Sequence, residues 1–212
     1  RATRLAMLRY RADLLPFLSH TIYFGVLALM WTQSMPLAAM VPLYVVLCIT
    51  SFQGAVQTHN SVHAPVFKSR PLNKVYQVLL TLTYGHPVSS YVPGHNLSHH
   101  KHTQSQKDVM RTTKARHRYH LINLFTFLSA ISPSILKGDF GFMKIMRTKH
   151  PRWFVQMLIE LSALVAVTVA LALLDWQKTL VLFVIPHLYA QWGIVTFNLL
   201  QHDGCDENSE FN

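Results

Sequence analysis

Two histidine-rich stretches, HNSVH at residues 59–63 and HNLSHHKH at residues 95–102, decide how this chain is organised. Together they hold six of its 13 histidines. The first places two histidines four residues apart, on one face of a helix. In the second, His95 and His99 repeat that spacing, and His100 is displaced about 100° around the helix. Because neutral imidazole is the commonest nitrogen ligand for transition metals, this density predicts a metal site.

Uncharged apolar runs surround these stretches and predict an all-α integral membrane protein. Half of the residues are hydrophobic and only 13% are charged, about half the usual charged share of a soluble domain. Four runs are long enough to span a bilayer as helices, at residues 14–31, 36–57, 153–174 and 179–201. The short linkers predict two helical hairpins. Two less hydrophobic stretches, 75–91 and 119–136, contain Pro, Ser or Thr. They are predicted to form helices in or near the membrane interface.

Positive charge lies on one side of the predicted topology. Residues 1–11 and 54–152 hold 18 of the 19 Lys and Arg residues, and the two hairpin linkers hold only Lys178. The positive-inside rule therefore predicts a multi-pass protein with both termini and both histidine stretches on the cytosolic side. The basic region is interpreted first as a topology signal with lipid headgroup contact, and second as a docking face for an acidic electron carrier. Nucleic-acid binding is not expected, because the charge is interleaved with membrane segments.

The last apolar run is predicted to bring one more histidine to the same membrane level. His59 lies 23 residues after Pro36, and His202 lies 23 residues after Thr179. On a helix each distance is about 35 Å, and the hydrocarbon core is about 30 Å thick. Both histidines should therefore emerge just past the cytosolic edge. Asn198 precedes His202 by one turn on the same face, so this helix offers an amide as well as a ligand.

With these features the chain resembles the membrane fatty acid desaturase and hydroxylase superfamily. Its members carry a first box HxxxH or HxxxxH, a second box HxxHH or HxxxHH, and a third box HxxHH. Residues 59–63 resemble the first box and residues 95–100 the second. The stretch 99–103 followed by Asp108 also looks like the family's second box, which has a Thr and then an Asp downstream. The pattern Asn198-x-x-x-His202 resembles the Asn and His that some desaturases place before the third box.

The resemblance implies two iron ions held by histidines, which use O₂ to oxidise an unactivated C–H bond of a lipid chain. Fatty acyl desaturation is the leading prediction, and lipid hydroxylation is the alternative within the same superfamily. The implied partners are a membrane lipid or fatty acyl substrate and an electron donor of the ferredoxin or cytochrome b5 type. No catalytic residue is predicted beyond the metal ligands, which are His59, His63, His95, His99, His100 and His202. Residues predicted to act around the ligands, through water or hydrogen bonds, are Asn198, His102 and Asp108, with Asp203, Asp206 and Glu207 as further possible acceptors.

One departure from the family pattern is that no third box occurs before Asn212. We therefore expect residues 1–212 to form a single desaturase-like domain that is truncated at its C-terminus, with the third box further along. A non-catalytic desaturase-like subunit of a membrane complex is the alternative. A metal-ion transporter is disfavoured, because transport sites lie near mid-membrane on broken helices and these histidines are predicted at one edge.

Overall fold

The computed structural model describes residues 7–117 and 120–204, and these are almost entirely helical. In chain order the helices are α1 (Leu14–Thr32), α2 (Leu37–His63), α3 (Arg70–Tyr84), α4 (Val88–Val92), α5 (His100–His102), α6 (His120–Lys149), α7 (Pro151–Leu174), α8 (Trp176–Thr179) and α9 (Ile185–His202). The π-helical segment Pro93–His99 joins α4 to α5, and a second, Leu180–Val184, joins α8 to α9. Within the described ranges the only β-type pairing is an isolated bridge between Leu8 and Phe67. The all-α prediction is confirmed.

The described chain divides into two compact units. The first consists of the residues up to Ser89 together with Gln156–Gln191. The second consists of Ser90–Val155 together with the residues from Trp192 onward. The first unit therefore contains the first histidine stretch, and the second unit contains the second stretch and the end of α9.

Five helical stretches are long and apolar enough to cross a membrane, namely Arg11–Thr32, Leu37–His63, His120–Lys149, Pro151–Leu174 and Trp176–His202. Four of them correspond to the four spans predicted from sequence. The additional one is α6, which the sequence assigns to the interface because its apolar stretch 119–136 contains Pro, Ser and Thr. The helix instead continues to Lys149 and has 30 residues. Its Leu121 and Phe125 are 72% and 69% exposed. Length and composition thus give a fifth candidate span, and the four-span arrangement stays a prediction.

The first unit is built around α1 and α2. Their apolar runs are interrupted where Gln33 and Pro36 adopt extended conformations, so one helix ends and the next begins. The core between them consists of Tyr23, Leu27, Met30, Leu47, Leu182 and Phe183. The last two lie on the π segment 180–184, just before Pro186. Because proline clashes with the carbonyl four residues earlier, the helix is irregular at this point.

Two histidines within candidate spans are buried in the first unit and have hydrogen-bond partners there. His20 Nδ1 is 3.1 Å from Thr83 Oγ1, and its Nε2 is 3.2 Å from the hydroxyl of Tyr76. His187 packs against Gly85, where an added Cβ would lie 2.4 Å from the His187 Cβ. Gly85 also has a φ of 77°, which glycine adopts without strain. These contacts give both histidines a packing role.

The second unit has its own core, formed where α6, the end of α9 and the loop after α5 meet. Its buried residues are Met110, Ala115, Phe127, Ile131, Val195 and Leu199. Trp192 Nε1 donates to the carbonyl of Leu124 at 2.9 Å, and the backbone N–H of His117 donates to Asn123 Oδ1 at 2.8 Å. This packing holds the C-terminal turn of α9, with His202, beside the second histidine stretch.

Candidate metal centre

The first box lies on the last two turns of α2. The helix runs without interruption from Leu37 to His63, so the four-residue spacing puts His59 and His63 on one face. Their ring centroids are 5.1 Å apart. The side chain of His59 is half-buried and that of His63 is exposed. The structure therefore brings the two first-box histidines together, within the first unit.

The second box lies on a continuous helix, Val88–His102, which we call the second-box helix. Its first turn is anchored by a carboxylate in α7. Glu160 accepts hydrogen bonds from the backbone N–H of Ser89 at 2.8 Å and from its hydroxyl at 2.9 Å. Gln156 Nε2 donates a third, at 3.0 Å. Negative charge at a helix N-terminus is stabilising because it meets unpaired N–H groups and the positive end of the helix dipole.

The role of Glu160 is missed by sequence reasoning, which treats the residue only as an interruption of an apolar run. The signal was present, however. A single carboxylate within a membrane-length run must find partners, because leaving it unpaired in an apolar environment is costly. The side chain is fully buried, and its two oxygens accept three hydrogen bonds. Glu160 is therefore a positioning residue for the start of the second-box helix.

The π-helical segment Pro93–His99 changes how the second-box histidines are arranged. The backbone N–H of His100 donates to the carbonyl of His95, five residues earlier, so residues five apart come onto one face. As a result, the Nε2 atoms of His95 and His100 are 3.0 Å apart. A regular α-helix, assumed from the sequence, would turn His100 away. The observed departure from the α-helix brings it into the cluster.

A second pair of imidazoles completes a group of four histidines in the second unit. His99 Nε2 lies 3.3 Å from the Nε2 of His202, at the end of α9. The ring centroids of His95 and His99 are 6.0 Å apart. The side chains of His95 and His99 are buried, His202 is half-buried and His100 is exposed. Four of the six histidines predicted as ligands are thus gathered in one unit, with their Nε2 atoms facing each other in pairs.

Asp108 is hydrogen-bonded to His99 on the side of the ring that faces away from the other clustered histidines. Its Oδ2 accepts a hydrogen bond from His99 Nδ1 at 2.9 Å and another from the backbone N–H of Gln104 at 2.9 Å. Its Oδ1 accepts from the N–H of Met110 at 2.8 Å. Burial alone would raise the pKa of the Asp108 carboxyl, but these hydrogen bonds outweigh burial, so the pKa lies below its usual value. An ionised Asp108 places the His99 proton on Nδ1 and leaves the Nε2 lone pair free for a metal.

The remaining residues predicted to act around the ligands take different positions. Asn198 is buried and donates from Nδ2 to the carbonyl of Met110 at 3.3 Å, so it holds the loop that follows Asp108. His102 is half-buried at the end of α5. Asp203 pairs with Arg116 at 3.0 Å instead of with a histidine. The residues predicted at Asp206 and Glu207 lie outside the described part of the chain.

The donor set fits a transition metal. Histidine nitrogens bind such ions at about 2.0–2.1 Å, so adjacent ligands are separated by about 3.0 Å at right angles and about 3.4 Å in a tetrahedron. The pairs His95–His100 and His99–His202, at 3.0 Å and 3.3 Å, have these separations. The same distances suit an N–H···N hydrogen bond in the metal-free protein. Two such pairs, with a carboxylate behind one ring, match the arrangement of metal-binding histidines and their hydrogen-bond partners.

Comparison with known proteins identifies the family. The sequence profile described as fatty acid desaturase matches residues 32–211. The chain therefore belongs to the fatty acid desaturase family, as its histidine boxes predict. No curated protein sequence and no solved structure matches the chain significantly. Membership indicates an oxidoreductase of the lipid-oxidising type, set in a membrane.

Proposed function

We propose that this protein is a membrane-bound, O₂-dependent oxidoreductase that desaturates a fatty acyl chain at a centre of two iron ions. The observation that carries the proposal is the group of four histidines in the second unit, with Asp108 hydrogen-bonded to His99. Family membership supports the lipid-oxidising class of reaction. The choice of iron rests on the family, because imidazole also suits zinc and copper.

The proposed ligands are all six histidines named from the sequence. His95 and His100 form one pair of donors in the second unit, and His99 and His202 form another. His59 and His63 are proposed as two further ligands from α2, where they share one face and where His63 is exposed. When bound, the iron centre would supply the O₂-dependent removal of hydrogen from an unactivated C–H bond.

The residues of this chain would orient and support that centre. Asp108 holds the His99 proton on Nδ1, Glu160 fixes the first turn of the second-box helix, and Asn198 holds the loop that carries Asp108. Over a complete desaturation, the acyl chain loses two hydrogens and O₂ becomes two waters, with two electrons and two protons supplied from outside. An electron donor of the ferredoxin or cytochrome b5 type is therefore a proposed partner.

Both termini and both histidine boxes are proposed to face the cytosol. The support is the charge distribution, since 18 of the 19 Lys and Arg residues lie in the N-terminal and central segments. In this arrangement the linkers at residues 32–35 and 175–178 face the opposite side. This arrangement requires that α6 lies along the membrane, because a fifth crossing would put the linker at residues 175–178 on the cytosolic side and the end of α9 on the opposite side.

Product analysis tests the proposed reaction. Membranes containing the protein receive a deuterium-labelled saturated acyl chain, O₂ and an electron donor, and the products are separated by mass. We expect a chain lighter by two hydrogen isotopes from the wild type and from the control His150→Ala, a change at an exposed histidine outside the site, and none from His99→Ala. A chain heavier by one oxygen would identify a hydroxylase. Iron-loaded protein that yields no product with a broad range of acyl chains would favour a non-catalytic subunit.

A further inference from the structure

A groove of about 600 Å³ lies in the second unit, and no histidine is among the described residues that line it. Three elements enclose it, namely the π segment of the second-box helix, the loop around residues 106–109 and the C-terminal half of α6. We call it the α6 groove. Its lining is mostly apolar and includes Pro93, Leu97, Ile135, Phe142 and Ile145. Its size is within the range of small-molecule sites.

Glycines keep the α6 groove open. Gly138 and Gly141 line it from α6, and a Cβ added at either would meet no atom within 4 Å. Gly94 lines it from the second-box helix, where an added Cβ would lie 3.9 Å from Ile135. A glycine within a helix costs about 1 kcal/mol relative to alanine, and no close packing inside the unit requires Gly138 or Gly141. The open space is better explained by a molecule that occupies it.

The groove lies on the side of the second-box helix opposite to the ligands. Gly94, Leu97 and Ser98 line it, whereas the buried rings of His95 and His99 point into the cluster. An occupant of the groove would therefore lie behind the box, where it could not place a C–H bond beside the Nε2 atoms. We therefore do not expect the groove to bind the part of the substrate that reacts.

Three ammonium groups surround the mouth of the groove. Lys107, Lys114 and Lys137 all line it and are all exposed. Lys114 Nζ donates to the carbonyl of Val109 at 2.9 Å and to Ser134 Oγ at 3.3 Å, so it bridges the loop and α6. Among the described residues that line the groove, the one acid is Asp108, which is buried and bonded to His99. The mouth is therefore strongly cationic.

We propose that the α6 groove binds an anionic phospholipid of the membrane, separate from the acyl substrate. The acyl chain lies along the apolar floor beside Gly138 and Gly141, and the phosphate meets the three lysines. The apolar lining matches the acyl chain of such a lipid, and the cationic mouth matches its phosphate. A neutral lipid, or an apolar helix of another protein, would bring no negative charge to the three lysines. Ser98 Oγ donates to the carbonyl of Lys107 and accepts from the N–H of Val109, so the groove wall is bonded to the loop that carries Asp108. A lipid bound in the groove would therefore stabilise this loop.

Lipid-dependent stability tests the proposal. The purified full chain is placed in nanodiscs of phosphatidylcholine alone or with one third phosphatidylglycerol, and its Tm is measured. We expect phosphatidylglycerol to raise the Tm on the order of 5 °C, and native mass spectrometry to find it retained. Gly138→Leu, which fills the groove, should abolish both effects. Gly25→Leu is the matched control, because Gly25 is an exposed helical glycine with nothing within 4 Å of an added Cβ.

A lysine variant tests the head-group contact independently of groove filling. Replacing Lys107, Lys114 and Lys137 together with Gln should abolish the preference for phosphatidylglycerol, whereas Lys144→Gln, on the exposed face of α6, should keep it. Equal Tm values in the two lipids, or equal behaviour of Gly138→Leu and Gly25→Leu, would overturn the proposal. So would a Gly138→Leu protein that keeps its metal but has a raised KM for the acyl chain, because the groove would then hold the substrate.

Discussion

Replacing Asp108 with Asn tests the hydrogen bonds behind the metal centre. In the native protein one carboxylate oxygen accepts from His99 and Gln104, and the other accepts from Met110. Asn keeps the shape but has only one accepting oxygen. Its amide N–H₂ must therefore face either the N–H of Met110, or the N–H of Gln104 together with the ring of His99.

Either orientation leaves a buried N–H without an acceptor. That costs about 1–3 kcal/mol, which for a chain of this size lowers the Tm by about 2–12 °C. In the second orientation the amide donates to His99 Nδ1, moves the ring proton to Nε2 and removes the lone pair that would bind metal. Loss of such a partner typically weakens metal binding by about 10–100-fold.

Two assays on Asp108→Asn measure these effects, namely thermal unfolding of the metal-free protein and titration with Fe²⁺ or Co²⁺. Asp203→Asn is the matched control, because Asp203 pairs with Arg116 and not with a histidine. We expect weaker metal binding and a lower Tm in Asp108→Asn only. Wild-type metal affinity together with a wild-type Tm in the Asp108→Asn protein would refute the assigned role of Asp108.

Three further predictions concern the frame around the site. Glu160→Leu removes the hydrogen-bond acceptor at the start of the second-box helix. The change should destabilise the protein by at least about 2 kcal/mol and reduce the amount of metal bound. Unchanged metal content would contradict a positioning role. Gly85→Ala should lower the free energy of unfolding by about 2–4 kcal/mol through its positive φ and its contact with His187, while Gly25→Ala should raise it by about 0.5–1 kcal/mol. Cysteines introduced at the exposed Ser34 and Gln177 should react only with a reagent added outside the cell, and cytosolic labelling would contradict the topology.

Much of the frame follows from local sequence patterns. The uncharged run 36–57 leads into the first box, and α2 is one helix from Leu37 to His63. The run 179–201 likewise becomes a helix that ends at His202. Apolar runs and four-residue spacing are local properties, so they predict both the helices and the faces on which their histidines lie.

The extent of α6 was not predictable from the same patterns. Pro133 and its neighbouring Ser residues look like breaks in the sequence, yet the helix passes through them. Membrane helices tolerate proline in their interior, so Pro133 does not mark the end of the helix. Residues 137–149 are mostly exposed and mix charged with apolar side chains. Their hydropathy therefore does not show that the helix continues through them.

Two features of the site depend on tertiary structure. The π segment brings His100 beside His95, and histidine spacing alone does not reveal a change of helix type. The pairing of Asp108 with His99 depends on the loop after α5, where Gln104 has a φ of 59° and its N–H reaches Asp108. Sequence could name Asp108 and Asp203 as candidates, but only the structure shows that Asp108 bonds His99 while Asp203 pairs with Arg116.

Iron content measured on the purified full chain tests the central claim most directly. The wild type, His99→Ala and His150→Ala are compared by elemental analysis after loading with Fe²⁺ under anaerobic conditions. His150 is the control because it is exposed between α6 and α7 and is neither a predicted ligand nor a residue predicted to act around the ligands. The account predicts up to two irons per chain in the wild type and in His150→Ala, and a clear loss in His99→Ala. Equal iron content in all three proteins, or none in the wild type, would contradict it.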